Sequence, residues 1–262
     1  MKVLLLTSKK LGHESRQLIS SLENRGHTVL VNDPENQVPD IVLARHLGKK
    51  NPTNLPYALY FQSIGVPVIN TPQSATLAKN KFETNQLFRA HGLPAPKTYE
   101  FTSLDHDIAY PLVAKVLRGS QGIGVYLCES REQLAEHLNS TNPMIIQEFV
   151  DAKPGEDLRV FIIGGRVMGV MKRMSINGDF RANISQGGVG EAYEPTPEIE
   201  HLALKVAKLV GLDICGVDLL FDQTGFKVCE VNATPGFRGF DRYCGTKMAD
   251  EIVKYLESRL PK

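Results

Sequence analysis

Residues 216–236 read GVDLLFDQTGFKVCEVNATPG and are the most informative part of the chain. Apolar and polar residues alternate on both sides of Gln223-Thr-Gly225, a pattern typical of a β-hairpin with a glycine-containing turn. Side chains two positions apart project from the same face of a strand, so Glu230 and Asn232 share a face. The other strand of the hairpin can place Asp218 across from them.

This hairpin predicts a metal site built from oxygen ligands. Two carboxylates and one amide oxygen, with no His or Cys among them, suit Mg²⁺ or Mn²⁺, which commonly accompany phosphates. The alternative is a solvent-exposed hairpin whose acidic residues face water, the commoner environment of Asp and Glu. The apolar neighbours of Asp218 and Glu230 weaken that alternative.

The composition indicates a protein of two or three units without a global charge bias. The chain has 262 residues, enough for a substantial core. Its 30 Lys and Arg against 29 Asp and Glu give a net charge of +1, which argues against nucleic acid or an anionic membrane as a partner. Four cysteines occur without a C-x-x-C pair, and no apolar segment approaches the roughly 20 residues of a membrane span. We expect a soluble cytoplasmic protein.

Three units follow one another along the chain. Residues 1–70 alternate short apolar runs with a helical pattern, which is typical of a small parallel α/β domain. The first turn of this unit lacks G-x-G-x-x-G, and this disfavours dinucleotide binding. Residues 71–149 contain a glycine-rich loop between two predicted strands. Residues 150–262 contain the predicted metal site and an apolar helical stripe that we assign to the core.

The glycine-rich loop is the predicted phosphate site. Residues 119–124 read GSQGIG and offer backbone N–H groups with little side-chain obstruction, as a loop over triphosphate oxygens requires. The Gly-Lys-Ser/Thr ending of a Walker loop is absent, so the loop alone is a weak signal. Lys115 strengthens it, because an ammonium group in an apolar strand is costly unless an anion lies nearby. A lysine on the wet face of a strand is the alternative.

Arg159, Arg173 and Arg181 lie in the same unit as the predicted metal ligands. The planar guanidinium fork suits phosphate or carboxylate and offsets the charge that builds up in phosphoryl transfer. Arg181 and Asn183 lie between two glycine turns in a segment with little apolar content, which favours binding over core packing. For Arg173 the alternative is a solvated arginine in a loop.

Several blocks of sequence, taken together, resemble the RimK-type branch of the ATP-grasp superfamily. They span nearly the whole chain in the family's order and approximate spacing, which is more specific than any single block. The blocks are Lys115 with GSQGIGV at 119–125, IQEF at 146–149, EDLR at 156–159, GDFRAN at 178–183 with Gly187-Gly188, GVD at 216–218 and EVNATPG at 230–236. The resemblance implies a three-part ATP-grasp fold of the α/β class, with α+β clamp units and an N-terminal parallel α/β pre-ATP-grasp domain. It also implies an ATP-dependent carboxylate–amine ligase.

The resemblance further implies roles for individual residues. Those that would contact ATP are Lys115, Gly119, Ser120, Gln121, Gly122, Gly124, Gln147, Glu148, Phe149, Asp157, Arg181 and Asn183. Those that would act on the reacting groups are Arg159, Arg181 and Asn183. Those that would hold the metal, as two Mg²⁺ or Mn²⁺ ions, are Asp218, Glu230 and Asn232. The implied reaction is attack of a carboxylate on the γ-phosphate, followed by capture of the acyl phosphate by an amine.

Two segments depart from the family's pattern. The loop around Arg45 only loosely resembles an arginine-containing loop of the family, so Arg45 is a weaker candidate for substrate binding, as is Arg173. Arg238 and Arg242 lie where members that modify ribosomal proteins carry an acidic residue. Two arginines there suit an acidic amino acid or an acidic peptide end, and solvated loop residues are the alternative.

We therefore expect a ligase that adds an acidic amino acid, such as glutamate, to a small carboxylate or a peptide C-terminus. Two alternatives stay open: a peptide ligase of natural-product or cofactor biosynthesis that uses non-acidic amino acids, and a nucleotide-binding regulator without turnover. The three metal-type residues argue against the regulator. The expected partners are the carboxylate and the amino acid, without nucleic acid or membrane, and homo-oligomerisation is left open.

Overall fold

The computed structural model describes residues 1–48, 51–119, 122–137, 140–182, 184 and 187–260. Three sheets form its framework, two of four strands and one of five. Helices pack against each of them. This mixed architecture agrees with the α/β class predicted from the sequence.

The N-terminal sheet is parallel, as the sequence predicts. Its strands are β1 (Lys2–Leu6), β2 (Thr28–Val31), β3 (Ile41–Ala44) and β4 (Val68–Ile69). Their spatial order is β2-β1-β3-β4, and Leu6 lies opposite Ala44. Helix α1 (His13–Asn24) connects β1 to β2, and helix α2 (Asn54–Ser63) connects β3 to β4. Because helices cover a parallel sheet, β1 and β3 are apolar and almost entirely buried.

The central sheet is antiparallel and carries the glycine-rich loop. Helices α3 (Pro72–Leu77) and α4 (Lys81–Ala90) precede it. The strands and helix of this unit are β5 (Thr98–Glu100), β6 (Leu112–Val116), β7 (Val125–Cys128), α5 (Arg131–Ala135) and β8 (Met144–Glu148). The spatial order of the four strands is β5-β8-β6-β7. The loop connects β6 to β7, so it lies at one end of this sheet.

The third sheet is larger and also antiparallel. Its strands are β9 (Glu156–Ile163), β10 (Arg166–Met174), β11 (Val189–Tyr193), β12 (Ile214–Asp222) and β13 (Gly225–Asn232). The spatial order is β11-β10-β9-β12-β13, which places β9 between β10 and β12. The accompanying helices are α6 (Pro197–Val210), α7 (Arg238–Tyr243) and α8 (Met248–Ser258).

The predicted apolar stripe of α6 is a core face. Its fully or nearly fully buried members are Ile199, Leu202, Ala203, Val206 and Val210, and Leu209 is partly buried. One core cluster joins this face to residues of the N-terminal sheet and of the third sheet, whereas the central sheet has a small core of its own. We propose domain boundaries at residues 70 and 149, as predicted from the sequence. Within the described part of the chain, no helix is both long and apolar enough to cross a membrane.

Candidate active site

The hairpin predicted from residues 216–236 forms β12 and β13. Asp218 lies opposite Glu230, and Gly216 lies opposite Asn232. The register shifts directly after Asp218, so Cys229 is an extra residue in a β-bulge. The three predicted metal ligands therefore lie at the same end of the hairpin.

A network of charged side chains crosses β9, β10 and β12. Arg159 donates from Nε and Nη2 to the two oxygens of Asp218, at 2.7 and 2.6 Å. Arg173 donates to both oxygens of Asp157, each at 2.6 Å, and to Oδ2 of Asp218 at 2.8 Å. Asp157, Arg173 and Asp218 are buried. The alternative of a solvated loop arginine is therefore wrong for Arg173, which lies in a strand.

The network keeps Asp218 ionised and oriented. Burial alone raises the pKa of Asp218, but the charges of Arg159 and Arg173 outweigh it and hold the pKa below its usual range. A carboxylate has about four lone-pair sites. Three of them accept hydrogen bonds from the arginines, and one site on Oδ1 is left to bind a further group.

A cleft opens between the central and third sheets. The predicted ATP contacts that line it are Lys115, Gly119, Gly122, Gln147, Glu148, Phe149, Asp157 and Arg181. Asp218 and Glu230 line it as well, so nucleotide and metal candidates share one space. Ser120, Gln121 and Asn183 lie outside the described residues.

Lys115 extends from β6 into this cleft. Its Nζ donates to Oε1 of Gln147 at 2.6 Å and lies 3.8 Å from Sγ of Cys229, across the cleft on β13. Gln147 in turn donates from Nε2 to Oγ1 of Thr98 at 2.9 Å. The ammonium group is thus held by two neutral acceptors, and its charge is available to an anion in the cleft.

Arg181 connects the glycine-rich loop to the third unit. Its Nη1 donates to the carbonyl oxygen of Gly122 at 3.0 Å. Asp179 accepts hydrogen bonds from Nε and Nη2 of the same guanidinium, at 3.0 and 2.6 Å. These bonds raise the pKa of Arg181. Gly124, at the other end of the loop, has a φ of +71° and packs against Val116.

The predicted adenine segment continues from β8. Oε1 of Glu148 accepts from Nζ of Lys227 at 2.7 Å, and its backbone N–H donates to the carbonyl oxygen of Lys97 at 2.8 Å. Phe149 contacts Phe180 edge to face, with ring centroids 6.2 Å apart. The segment is therefore anchored on both sides of the cleft.

Sequence reasoning missed two lysines in the cleft. Nζ of Lys81, at the first position of α4, donates to the carbonyl oxygen of Gly119 at 2.7 Å and lies 3.8 Å from Oε2 of Glu230. Lys153 also lines the cleft and lies 4.5 Å from the centre of the Phe221 ring. No motif surrounds either residue, and the partners of Lys81 are distant in sequence, so the sequence carries no local signal for them.

The three candidate substrate arginines lie in different places. Arg173 lines the cleft, with its guanidinium bonded to Asp157 and Asp218. Arg45 is buried outside the cleft, next to Pro235. Arg238 is exposed at the start of α7. Contact with substrate stays a prediction for all three.

The oxygen donors at the end of the hairpin fit a magnesium ion. Mg²⁺ is usually held by one or two carboxylates together with phosphate oxygens and water, and not by an all-protein cage. Glu230 lines the cleft with 31% of its side chain exposed. Oδ1 of Asn232 accepts one hydrogen bond, from the N–H of Thr234, and has a second lone pair. In the described ranges no cluster of three or more His, Cys, Asp or Glu suits a metal.

Residues 74–256 match a family model described as RimK-like ATP-grasp domain. The chain is 33% identical over 288 residues to a probable alpha-L-glutamate ligase of Methanococcoides burtonii, and the match covers 98% of this chain and 95% of that protein. It is 35% identical over 273 residues to beta-citrylglutamate synthase B of Danio rerio, covering 99% of this chain and 64% of the relative. The chain thus spans less than two thirds of that relative's length.

The fold is also that of solved ATP-grasp enzymes. The structure of the ATP-grasp ligase PsnB with minimal precursor, Mg and ADP superposes with a TM-score of 0.76 at 20% identity, covering 98% of this chain and 97% of that one. At this identity the likeness concerns the fold. The family assignment depends on the extent of the family match and on the identity to the Methanococcoides burtonii relative. The chain therefore belongs to the RimK-like ATP-grasp family of ATP-dependent ligases.

Proposed function

We propose that this enzyme joins an acidic amino acid, glutamate first among them, to the carboxylate of an acid substrate, with conversion of ATP to ADP and phosphate. One observation carries the proposal: a single cleft holds cationic groups on the side of the glycine-rich loop and oxygen donors for a metal on the facing hairpin. The names of the two relatives support glutamate as the amino acid and a carboxylate as its partner.

ATP lies, in this proposal, between the central and third sheets. Residues 147–149 hold the adenine, and the glycine-rich loop closes over the phosphates. Lys115 and Lys81 neutralise phosphate oxygens, because both ammonium groups face the cleft. Lys115 has a neutral oxygen acceptor at 2.6 Å, and Lys81 has one at 2.7 Å and the carboxylate of Glu230 at 3.8 Å. Arg181 keeps the loop against the third unit through Gly122. Asn183 is proposed to contact ATP from the sequence alone.

Glu230, Asn232 and the remaining lone pair of Asp218 are the proposed metal ligands. When bound there, Mg²⁺ would neutralise negative charge on the phosphates. The same proposal includes the binding of two metal ions and the replacement of Mg²⁺ by Mn²⁺. Arg159 and Arg173 set the direction of the Asp218 carboxylate before any ion binds, since both donate to it at 2.8 Å or less.

The reaction proceeds without a covalent protein intermediate. An oxygen of the substrate carboxylate attacks the γ-phosphorus, the bond to the β,γ-bridging oxygen breaks, and ADP leaves. The amine of the amino acid then attacks the carbonyl carbon of the acyl phosphate, inorganic phosphate leaves, and the amine proton passes to solvent or phosphate. Arg181 and Arg159 offset the negative charge that accumulates on the transferred group.

Mass spectrometry of the products tests the proposal. The protein is incubated with ATP, Mg²⁺, the twenty amino acids and a set of acids that contains citrate, dicarboxylates and peptides with a free C-terminus. The expected product has the mass of one acid plus glutamate less one water, with one ADP formed per bond. A product with a non-acidic amino acid would support the alternative peptide ligase. Tight ATP binding without ADP release on any pair would refute the ligase and favour a regulator.

A further inference from the structure

Lys81 connects the glycine-rich loop to the hairpin that carries the proposed metal ligands. It is the first residue of α4, and 15% of its side chain is exposed. Its Nζ donates to the carbonyl oxygen of Gly119 at 2.7 Å and lies 3.8 Å from Oε2 of Glu230. One ammonium group thus lies between the loop proposed to hold the phosphates and a carboxylate proposed to hold the metal.

The stability of α4 does not explain a lysine at this position. The N-terminal end of a helix carries a partial positive charge, which disfavours a cation in the first turn. The cap of α4 is provided by another residue, since the side chain of Asn80 accepts hydrogen bonds from the N–H groups of Phe82 and Glu83. The positive charge of Lys81 is therefore compensated from outside its own helix.

The carboxylate of Glu230 has Lys81 as its ion-pair partner among the described residues. The same carboxylate is a proposed metal ligand. A divalent ion on Glu230 would bring two further positive charges to a carboxylate that already has a cation beside it. Like charges a few ångströms apart repel, and a metal ion that binds alone adds no anion to offset the repulsion. Metal binding is therefore disfavoured as long as Lys81 pairs with Glu230.

A nucleotide changes this balance of charges. The side chain of lysine is a compact charge on a flexible stem, so the ammonium of Lys81 can leave Glu230 and pair with phosphate. The phosphates also supply the oxygens that Mg²⁺ needs in addition to one or two carboxylates. Movement of Lys81 to the phosphates would free Glu230 for the ion and would release the carbonyl oxygen of Gly119 in the loop.

We propose that Lys81 is a positioning residue whose charge keeps metal ions from Glu230 until a nucleotide binds, so that metal and ATP bind together. The inference rests on the proposed ATP and metal sites and goes beyond the proposed function by stating the order of binding. Lys115 differs from Lys81 in this respect. It lines the same cleft, but its Nζ contacts the neutral groups of Gln147 and Cys229, and no carboxylate of the described residues forms an ion pair with it.

Binding of Mn²⁺ without nucleotide tests this role. Free Mn²⁺ is measured at low ionic strength from its electron paramagnetic resonance signal, which decreases as the ion binds. Lys81→Gln and Lys81→Met remove the charge, and Lys81→Arg keeps it. Lys115→Gln is the matched control, because it removes a cation from the same cleft but not from Glu230. ATP binding is measured separately by calorimetry in the presence of a chelator, and thermal unfolding confirms that each variant is folded.

Lys81→Gln and Lys81→Met are expected to bind Mn²⁺ about 5- to 20-fold more tightly than the wild type, the effect of removing one charge a few ångströms from a divalent ion in a water-like medium. Lys81→Arg and Lys115→Gln should stay within about twofold of the wild type. Without metal, Lys81→Gln and Lys115→Gln should each weaken ATP binding about 10-fold, as expected for the loss of a charged hydrogen bond. Removal of the Lys81 charge thus changes the two affinities in opposite directions, which a purely structural role would not do.

Three results would overturn the inference. The first is an unchanged or lower Mn²⁺ affinity in both uncharged Lys81 variants. The second is the absence of measurable Mn²⁺ binding in the wild type and in these variants alike. The third is an equal gain of Mn²⁺ affinity in Lys115→Gln, which would show a general effect of positive charge in the cleft.

The Mn²⁺ titration uses neither the acid nor the amine, so its result is independent of the ligase reaction. If Lys81→Gln gains no metal affinity while the wild type joins glutamate to an acid, the role of Lys81 is refuted and the proposed function is kept. If Lys81→Gln gains metal affinity but no pair of substrates yields ADP, the proposed function is refuted and the role of Lys81 is kept.

Discussion

Asp218 and Glu230 face each other across the hairpin, yet their surroundings differ. Asp218 is 3% exposed and accepts three hydrogen bonds from two arginines. Glu230 has 31% of its side chain exposed, and its partner in an ion pair is Lys81, at 3.8 Å. Removing Asp218 would take the carboxylate partner from Arg159 and would leave Arg173 with Asp157 alone, so its loss would confound metal binding with stability. Glu230 is therefore the better residue to substitute in a test of metal binding.

Glu230→Gln is expected to weaken metal binding without unfolding the protein. The amide keeps the size of the side chain but removes the negative charge that Mg²⁺ prefers. The Mg²⁺ concentration for half-maximal ADP release should rise by about 10-fold or more, with little change in melting temperature. Glu191→Gln, at an exposed position on β11, should leave both quantities unchanged. An unaltered Mg²⁺ dependence in Glu230→Gln would exclude Glu230 as a ligand.

The connection from β6 to β7 is a short element whose shape depends on Gly124. A Cβ at this position would lie 2.6 Å from Cγ2 of Val116, and the φ of +71° is one that L-residues rarely adopt. Two residues earlier in the loop, the carbonyl oxygen of Gly122 accepts a hydrogen bond from Arg181. The loop therefore has little freedom to accept a side chain without moving away from the cleft.

Gly124→Ala is expected to lower ATP affinity about 10-fold, because the loop must shift to relieve the contact with Val116. The cost of a non-glycine residue at positive φ, about 1–3 kcal/mol, applies as well. Gly92→Ala separates the two effects, since Gly92 has a φ of +66° and no atoms within 4 Å of an added Cβ. It should lose stability but bind ATP normally in calorimetric titration. Equal ATP affinity in both variants would argue against a phosphate role for the loop.

The turn after α1 is linked to α8 by a surface cluster centred on Glu257. Its carboxylate accepts from Arg25 at 2.9 and 2.6 Å and contacts Nε2 of His27 at 2.8 Å. Hydrogen bonds from Arg25 and His27 lower the pKa of Glu257 to about 2. A depressed pKa in the folded state means that the stabilisation is present above the unfolded pKa of about 4.3 and disappears as the pH falls toward 2.

Glu257→Gln should therefore lower the melting temperature only at higher pH. Surface ion pairs contribute about 1 kcal/mol or less, which corresponds to a shift of about 2–4 °C at pH 7 for a protein of this size. The difference from wild type should shrink below about pH 4. Glu251→Gln, on the same helix with Lys254 as its partner, should give a smaller shift. A difference that stays constant down to pH 3 would contradict the assignment of the stabilisation to this carboxylate.

At the scale of the whole molecule, Asn70 connects the N-terminal sheet to the third sheet. Nδ2 donates to the carbonyl oxygens of Ile214 and Ala233, at 2.7 and 2.8 Å. Oδ1 accepts from the N–H groups of Asp213 and Ile214, both at 2.9 Å. Asn70 is 2% exposed, so all its hydrogen-bonding capacity is used within the protein. It holds the end of β4 against the start of β12 and the end of β13.

Asn70→Ala is expected to destabilise the protein by about 3 kcal/mol, because buried backbone groups of the hairpin lose their partners. The melting temperature should fall by about 6–12 °C. The exposed Asn142→Ala should change it by less than 1–2 °C, within the usual range of surface substitutions. A shift in Asn70→Ala no larger than that of the control would show that water replaces the lost bonds.

The local sequence pattern was sufficient to predict the hairpin, the parallel strands of the first seventy residues and the buried stripe of α6. Alternation in strands and the spacing of apolar residues in helices indicate directly which side of an element is buried. The local pattern was not sufficient to predict the environment of Arg173. Its neighbours in sequence are compatible with a loop, and its partners Asp157 and Asp218 lie on two other strands. Lys81 was missed for the same reason, since Gly119 and Glu230 reach it only after the central and third sheets come together.

The family, the fold class, the ligase chemistry and the identity of the candidate ligands follow from the sequence alone, because motif order and residue type are properties of the chain. Which charges neutralise one another was decided only by the tertiary structure. The pairing of Arg159 and Arg173 with Asp218 and the position of Lys81 depend on strand register and on the approach of separate sheets. Electrostatic interactions act over a few ångströms of space, and residues far apart in sequence reach that range only in the folded chain.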